Sequence, residues 1–195
     1  AGAYPYVWRH TLPNANWKME YVSVGNAGSR VFFAYTGELS ALHVKLFSTS
    51  VPANPDNPIP IWDHMTGTAT LNYPGQSSAS NGDVYATIRV ESLGGINRAV
   101  VRKYSNGSTS GPDWTYSFTN QIAYSSPDSP RGIRIAVSEN GKIIAMYQNA
   151  AINTVTIGVF NPGESTPTFV TNPGPMTPSN YQGHITAFAV SEDGS

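Results

Sequence analysis

Short stretches in which apolar and polar residues alternate are the main pattern along the chain. Residues 133–138 alternate in this way, and the apolar positions from Val155 to Val159 fall on every second residue. A period of two predicts half-buried β-strands, because successive side chains of a strand point to opposite faces of the sheet. No stretch of ten residues or more has a clear helical period. The pattern predicts an all-β fold.

The third part of the chain has the pattern of a four-stranded antiparallel meander. Its predicted strands are 133–138, 143–147, 154–160 and 168–170. Asn140 and Gly141 lie between the first two strands, and an Asn-Gly pair there predicts a tight hairpin with positive φ at both central residues. Polar or proline-containing turns separate the remaining strands.

The same pattern recurs with a period of about 54 residues. One marker is a large aromatic residue at steps of 54, 52 and 55 positions: Trp8, Trp62, Trp114 and Phe169. A second marker steps by 57 and 56 positions: Phe47, Tyr104 and Phe160. The glycines of a small-residue turn step by 54, 59 and 53: Gly28, Gly82, Gly141 and Gly194. A fixed period of this length is typical of repeat proteins built from supersecondary units.

Aligned repeats predict a β-propeller made of four-stranded antiparallel blades. About three and a half blades are expected in the chain. The predicted blades are 18–64, 75–118 and 132–171, preceded by an outer strand at 4–11 and followed by an inner strand at 184–195. Lys103 replaces an apolar residue of the repeat and is expected near a rim. The loop from Ser48 to Pro60 contains four prolines and is predicted to be a stiff surface excursion.

The predicted ring is incomplete in this sequence. Two pieces of this length hold about seven units of the repeat, which indicates half of a seven-bladed ring. An uncovered inner strand favours aggregation, so something must cover its edge. We expect a second polypeptide or a second copy of the chain to complete the propeller. The alternative is that the sequence is part of a longer one.

Two segments resemble known propeller repeats. Residues 183–194 combine Gly-His, an apolar strand and Ser-Glu-Asp-Gly, which resembles WD-repeat proteins, and residues 136–141 match the turn half of that pattern. Trp62 and Trp114 fall on the predicted fourth strand, which is more similar to repeats of the quinoprotein-dehydrogenase type. The resemblance implies the fold, and for His184 it implies a structural role in tying a loop to the sheet.

Composition restricts the partners and the compartment. Charged residues make up 12 % of the chain, its net charge is −1, and it has no basic run, so nucleic acid is not an expected partner. Low charge with abundant glycine, proline and hydroxyl residues suits a secreted or cell-surface protein, extracellular or periplasmic. Because there is no cysteine, the chain has no disulfide, thiolate zinc site or thiol nucleophile. No apolar run reaches the roughly twenty residues of a membrane-spanning helix.

A few residues are candidates for ligand binding or modification. Trp17 lies outside the tryptophan register, and Arg131 and Arg134 flank the entry to the predicted first strand of the third blade. The candidate ligand-binding residues are Trp17, Asp128, Arg131, Arg134 and His184. Asp128 could instead form an ion pair with one of the arginines. The sequence Asn106-Gly107-Ser108 makes Asn106 a candidate glycosylation site.

Neither a metal site nor a catalytic residue is assigned. The histidines His10, His43, His64 and His184 lack the spacing of metal ligands, so no cofactor is expected, with calcium as an open alternative. His10, His64 and Tyr116 each follow a repeat tryptophan by two positions, which favours a structural slot. Asp63 and His64 suggest a serine triad, but the chain has no Gly-x-Ser-x-Gly motif.

The favoured function is that of an extracellular binding or interaction propeller. Its loop face would recognise a glycan, a peptide or a protein, as the low charge and proline-rich loops suggest. The alternative is the N-terminal half of a propeller enzyme, such as a quinoprotein oxidoreductase, a lactonase or a glycan lyase, completed by a second chain.

Overall fold

A computed structural model describes residues 8–12, 18–24, 28–37, 41–66, 76–121, 133–149, 154–171 and 191. Within these ranges the chain forms twelve β-strands and no α-helix. Sheet A contains β1 (Lys18–Val24), β2 (Arg30–Thr36), β3 (Leu42–Ser48) and β4 (Trp62–Thr66). Sheet B contains β5 (Gln76–Asn81), β6 (Val84–Leu93), β7 (Ile96–Tyr104) and β8 (Trp114–Gln121). Sheet C contains β9 (Ile133–Val137), β10 (Ile143–Asn149), β11 (Thr154–Phe160) and β12 (Phe169–Thr171).

Each sheet is an antiparallel meander in which neighbours in sequence are neighbours in space. The prediction of an all-β fold with antiparallel four-stranded sheets is confirmed. Trp62 and Trp114 begin the fourth strands β4 and β8, and Phe169 begins β12. No sheet closes on itself within the described ranges. The predicted inner strand at 184–195, apart from Ser191, and the beginning of the predicted outer strand at 4–11, residues 4–7, lie outside the described residues.

Glycine conformation determines the tightest turns. Leu93 pairs with Ile96, so Gly94 and Gly95 form a two-residue hairpin loop with φ values of 62° and 79°. Positive φ at both positions is the type I′ geometry that matches the twist of paired strands.

The predicted Asn-Gly hairpin in sheet C is of a different type. The amide of Gly141 donates to the carbonyl of Ser138 at 2.9 Å, and the Ser138 amide donates to Lys142 at 3.0 Å. The loop therefore has three residues, and Gly141 takes the left-handed conformation at its end, with φ 81°. The expected two-residue geometry is wrong, because Lys142 pairs with Ser138 rather than with Glu139, which leaves three residues in the loop.

Sheet B packs against a neighbouring sheet on each of its two faces. One cluster of buried side chains joins sheets A and B: Phe32, Ala34, Leu42, Val44, Leu46, Trp62, Tyr85 and Tyr104. A second joins sheets B and C: Ala86, Ile88, Val90, Ala99, Val101, Phe118, Ile133, Ile135, Val137, Ile143, Ala145, Tyr147 and Phe160. Because side chains alternate along a strand, Tyr85 faces sheet A and Ala86 faces sheet C.

The first strands of the sheets lie beside one another. β1 contacts β5, and β9 contacts both β5 and β6. The hydroxyl groups of Ser23 on β1 and Ser80 on β5 form a hydrogen bond between sheets A and B. The sheets therefore stack in chain order, with their first strands along one side of the stack.

Candidate functional site

An aromatic contact recurs at three places along the stack. The ring centroids of Trp62 on sheet A and Tyr104 on sheet B are 5.5 Å apart, with planes inclined at 24°. Trp114 on sheet B and Phe160 on sheet C are 5.1 Å apart, also at 24°. Trp8 lies 5.3 Å from Phe47 of sheet A at 32°. The two periodic aromatic markers of the sequence thus contact each other between consecutive units.

The residue two positions after each of these tryptophans repeats the contact. His10 lies 5.1 Å from Phe47, His64 lies 5.9 Å from Tyr104, and Tyr116 lies 5.4 Å from Phe160. These side chains fill equivalent places in the packing between units, as expected of a structural slot. No catalytic role is needed to explain His10 or His64.

Hydrogen bonds tie sheet A to the β7–β8 loop of sheet B. The indole Nε1 of Trp62 donates to the carbonyl of Ser105 at 3.0 Å, and His64 Nε2 forms a hydrogen bond with the carbonyl of Ser108. The buried hydroxyl of Ser108 donates to Asp113. The aromatic contact between sheets A and B is therefore reinforced by polar contacts with an ordered loop.

Asp113, at the end of this loop, accepts hydrogen bonds from Lys103, Ser105 and Ser108. Lys103 Nζ lies 2.6 Å from Asp113 Oδ2, and the hydroxyl of Ser105 donates to Oδ1 at 3.2 Å. Burial acts to raise the pKa of Asp113, but the hydrogen bonds from Lys103, Ser108 and Ser105 outweigh it and lower the pKa. Lys103, the departure from the apolar repeat, lies near the end of β7 and forms this ion pair.

Asn106 is engaged by a side chain of the same sheet. Its Oδ1 accepts a hydrogen bond of 3.0 Å from the hydroxyl of Tyr85. Tyr85 is fully buried, and burial raises its pKa to about 12. The candidate glycosylation site thus lies in a loop held to the core, and its modification stays a prediction.

Charged side chains of sheet B also face sheet A. The two terminal guanidinium nitrogens of Arg102 donate to Glu91, at 2.6 and 2.9 Å, in a bidentate pair whose side chains are 11 and 13 % exposed. Arg89 lies on the same face and is fully buried. This part of the interface is polar, and the pair is shielded enough from water to affect stability.

Sheet A has a second face, turned away from sheet B and contacted by Trp8; we call it the Trp8 face. Lys45 Nζ lies 2.9 Å from Asp63 Oδ2 on this face, and the rings of Tyr35 and His43 stack at 5.1 Å. The pKa of Lys45 is raised, because the contacts with Asp63 and Tyr35 outweigh the effect of burial. Burial lowers the pKa of His43.

The contacts of Asp63 and His64 argue against the serine triad. Asp63 pairs with Lys45 on the Trp8 face, whereas the next residue, His64, faces sheet B and contacts Tyr104. Adjacent residues of a strand point to opposite sides of the sheet. The two side chains therefore do not form one constellation.

The β3–β4 loop, residues 49–61, is held in place at several points. Arg9 forms an ion pair with Asp56 at 2.9 Å, and its amide donates to the carbonyl of Pro55 at 2.8 Å. Asn54 Oδ1 accepts from the Asp56 amide at 3.1 Å, and the amide of Ile61 donates to Leu46 at 2.6 Å. The stiff excursion predicted from the prolines is thus also fixed by hydrogen bonds.

This ordered loop presents apolar side chains to solvent. Ile59 is 86 % exposed and Val51 is 72 % exposed. Exposed aliphatic side chains on an ordered loop are candidates for contact with a partner. Sequence reasoning identified the stiffness but missed these two side chains; the signal was an aliphatic residue next to proline, at Val51-Pro52 and Pro58-Ile59-Pro60.

The ligand-binding set expected from the sequence falls mostly outside the described residues. Trp17, Asp128, Arg131 and His184 all lie there. Arg134 is described on β9, where it is partly buried and donates to the carbonyl of Ile133 at 2.7 Å. The five residues therefore stay a prediction.

The described ranges contain no group of three His, Asp or Glu side chains placed to hold a metal ion. No helix there has the length and apolar character needed to cross a membrane.

No protein-family model matches this chain, and no curated protein matches its sequence.

Proposed function

We propose that the chain is a non-catalytic scaffold of the β-propeller type that binds a peptide or protein through the 49–61 loop. The single observation that carries the proposal is the exposure of Ile59 and Val51 on a loop held by hydrogen bonds. An ordered loop loses little conformational entropy when it binds, which favours recognition.

The propeller part of the proposal rests on how the sheets repeat. Three consecutive meanders stack through the same aromatic pair, and their first strands lie side by side. In a propeller, four-stranded blades surround a channel lined by their first strands. This arrangement of first strands supports radial stacking, in agreement with the resemblance to WD-repeat and quinoprotein-type propellers.

A peptide or protein is favoured over a glycan. Carbohydrate sites commonly use an exposed aromatic ring as a platform, but Trp8, Trp62 and Trp114 are engaged in contacts between units. The exposed side chains of the 49–61 loop are aliphatic, and such side chains suit apolar contacts with a polypeptide. The observations from the described residues do not favour the enzyme alternative, and we do not propose it.

The test is selection of peptides on the immobilised chain, followed by loop variants. We expect selected peptides to lose at least about tenfold in affinity, about 1.4 kcal/mol, for the double variant Val51→Ser/Ile59→Ser. The matched control is Leu93→Ser/Ile96→Ser, which replaces two exposed aliphatic residues at the β6–β7 turn. Equal binding by both double variants, or binding of glycans alone on an array, would overturn the proposal.

A further inference from the structure

The Trp8 face of sheet A is only partly covered. Trp8 and His10 lie over Phe33 and Phe47. On β1, by contrast, Val22 is 55 % exposed and Val24 is 64 % exposed on the same face. This face is therefore packed around Phe47, which is 1 % exposed, whereas its first strand presents valines to water.

The positions of sheet C that correspond to Val22 and Val24 are buried. Val137 pairs with Ile143, which pairs with Phe160, just as Val24 pairs with Val31, which pairs with Phe47. Val24 therefore corresponds to Val137, and Val22 to Ile135 two residues earlier. Ile135 and Val137 are only 6 and 7 % exposed.

Strands of sheet B cover Ile135 and Val137 in sheet C. β5 and β6 of sheet B lie against β9, and Ala86 and Ile88 of β6 belong to the same buried cluster as Ile135 and Val137. β8, the fourth strand of sheet B, covers the part of sheet C around Phe160 through Trp114 and Tyr116. The fourth strand alone leaves the first strand of the next sheet open.

Residues 8–12 occupy the place of β8 relative to sheet A, because Trp8 and His10 contact Phe47 as Trp114 and Tyr116 contact Phe160. We infer that the Trp8 face is the docking surface for a three-stranded antiparallel β-sheet that takes residues 8–12 as its fourth strand. Its first two strands cover Val22 and Val24 with small and aliphatic side chains, as Ala86 and Ile88 do in sheet B. The inference rests on the sheet contacts and is independent of binding at the 49–61 loop.

A second copy of the chain is a poorer occupant. Sheets A, B and C each already contain four strands. The part of the chain that the structure describes thus offers no three-stranded sheet that lacks its fourth strand. The occupant we assign is a separate three-stranded segment with apolar alternation.

The first experiment supplies such a segment from the chain itself. Residues 76–106, which hold the first three strands of sheet B, are fused before residue 1. In the fusion, the number of residues between Tyr104 of the graft and Trp8 equals the number between Tyr104 and Trp114 in the native sequence. The chain has no cysteine, so Val24→Cys provides a single thiol on the Trp8 face.

Maleimide labelling of Val24→Cys measures the cover directly. In the unfused chain we expect Val24→Cys to react at a rate close to that of Ser165→Cys, an exposed reference, and much faster than the buried reference Val137→Cys. In the fusion the rate should fall at least about tenfold, because a covered thiol reacts only after local opening. Ser165→Cys should not change.

A matched fusion carries Ala86→Lys and Ile88→Lys in the grafted copy only. It has the same length but cannot pack on valines, so the thiol should stay reactive. A second graft, residues 18–54, supplies the first three strands of sheet A before residue 1 and so tests a different sequence. The number of residues between Phe47 of this graft and Trp8 equals the number between Phe47 and Trp62 in the native sequence. The inference is overturned when Val24→Cys stays fully reactive in both unmodified grafts. It is also overturned when the unfused chain protects the thiol. Protection that dilution reverses shows that a second copy covers the face, and protection that dilution does not reverse shows that the chain itself covers it.

Discussion

The ring of Phe118 occupies the space that a side chain at Gly158 would fill. A Cβ added to Gly158 would lie 2.6 Å from Cζ of Phe118 and 2.8 Å from its Cε1. Phe118 is on β8 of sheet B and Gly158 is on β11 of sheet C, so the missing side chain allows the two sheets to approach. The pairing is specific to this interface, because Lys45 and Arg102 occupy the positions equivalent to Gly158 in the other sheets.

Replacing Gly158 with alanine should therefore destabilise the protein. We expect Gly158→Ala to lower the free energy of unfolding by about 1–3 kcal/mol, the usual effect of overpacking a core. Urea unfolding followed by circular dichroism measures it. The control is Gly107→Ala, where an added Cβ meets only Ser105 Oγ at 4.0 Å, and its effect should stay within about 0.5 kcal/mol. Phe118→Leu should relieve part of the loss in the double variant, and purely additive effects would contradict the assigned contact.

The hydrogen bond between Trp62 and Ser105 should be measurable separately from ring packing. Trp62→Phe keeps an aromatic ring against Tyr104 but leaves the Ser105 carbonyl without its indole donor. We expect a loss of about 1–2 kcal/mol in unfolding free energy, and about 3–5 kcal/mol for Trp62→Ala. Trp114→Phe is the comparison, since the described residues show no hydrogen bond from that indole. An equal loss for both phenylalanine variants would argue against the hydrogen bond.

Breaking the ion pair between Arg102 and Glu91 should destabilise the protein far more than breaking the one between Arg9 and Asp56. Arg102→Gln leaves a shielded carboxylate without its bidentate partner, and we expect a loss of about 3 kcal/mol. The side chains of Arg9 and Asp56 are 60 and 56 % exposed, so Arg9→Gln should change stability by no more than about 0.5 kcal/mol. Thermal unfolding at low and high salt checks the difference, because salt should weaken only the exposed pair. Similar losses for the two variants would refute the ranking.

Histidines on the Trp8 face should make the protein sensitive to acid. Burial, and to a smaller extent Lys45, lowers the pKa of His10 below 6.5, and burial with a smaller opposing effect of Asp63 lowers that of His43. The folded state thus disfavours the charged form of both. Their contribution to stability is present above the unfolded pKa of about 6.5 and is lost as the pH falls through the lower folded values.

Urea unfolding between pH 7.5 and pH 5 tests this expectation. The double variant His10→Phe/His43→Phe should flatten the pH dependence in this window, whereas His64→Phe, at the interface with sheet B, serves as a comparison. An unchanged slope in the double variant would show that other groups cause the acid sensitivity.

Most of the strands, their grouping into fours and their period could be predicted from the amino-acid sequence alone. Alternation with a period of two located the strand 154–160 with the bounds that β11 has. The aromatic markers are also visible as sequence, because packing between equivalent units selects large rings at fixed spacing. The local turn type was less accessible: Asn140-Gly141 marked a hairpin, but whether its loop has two or three residues depends on where strand pairing ends.

What packs on each face of a strand depends on the neighbouring sheets and could not be predicted from alternation. Val22 and Val24 have the same alternating pattern as Ile135 and Val137, yet one pair is exposed and the other is buried. Alternation specifies which side chains share a face, because it follows from backbone geometry. It cannot specify what packs on that face, since that depends on strands distant in sequence. For the same reason Gly158, a residue that weakens an isolated strand, is required here by a ring from the neighbouring sheet.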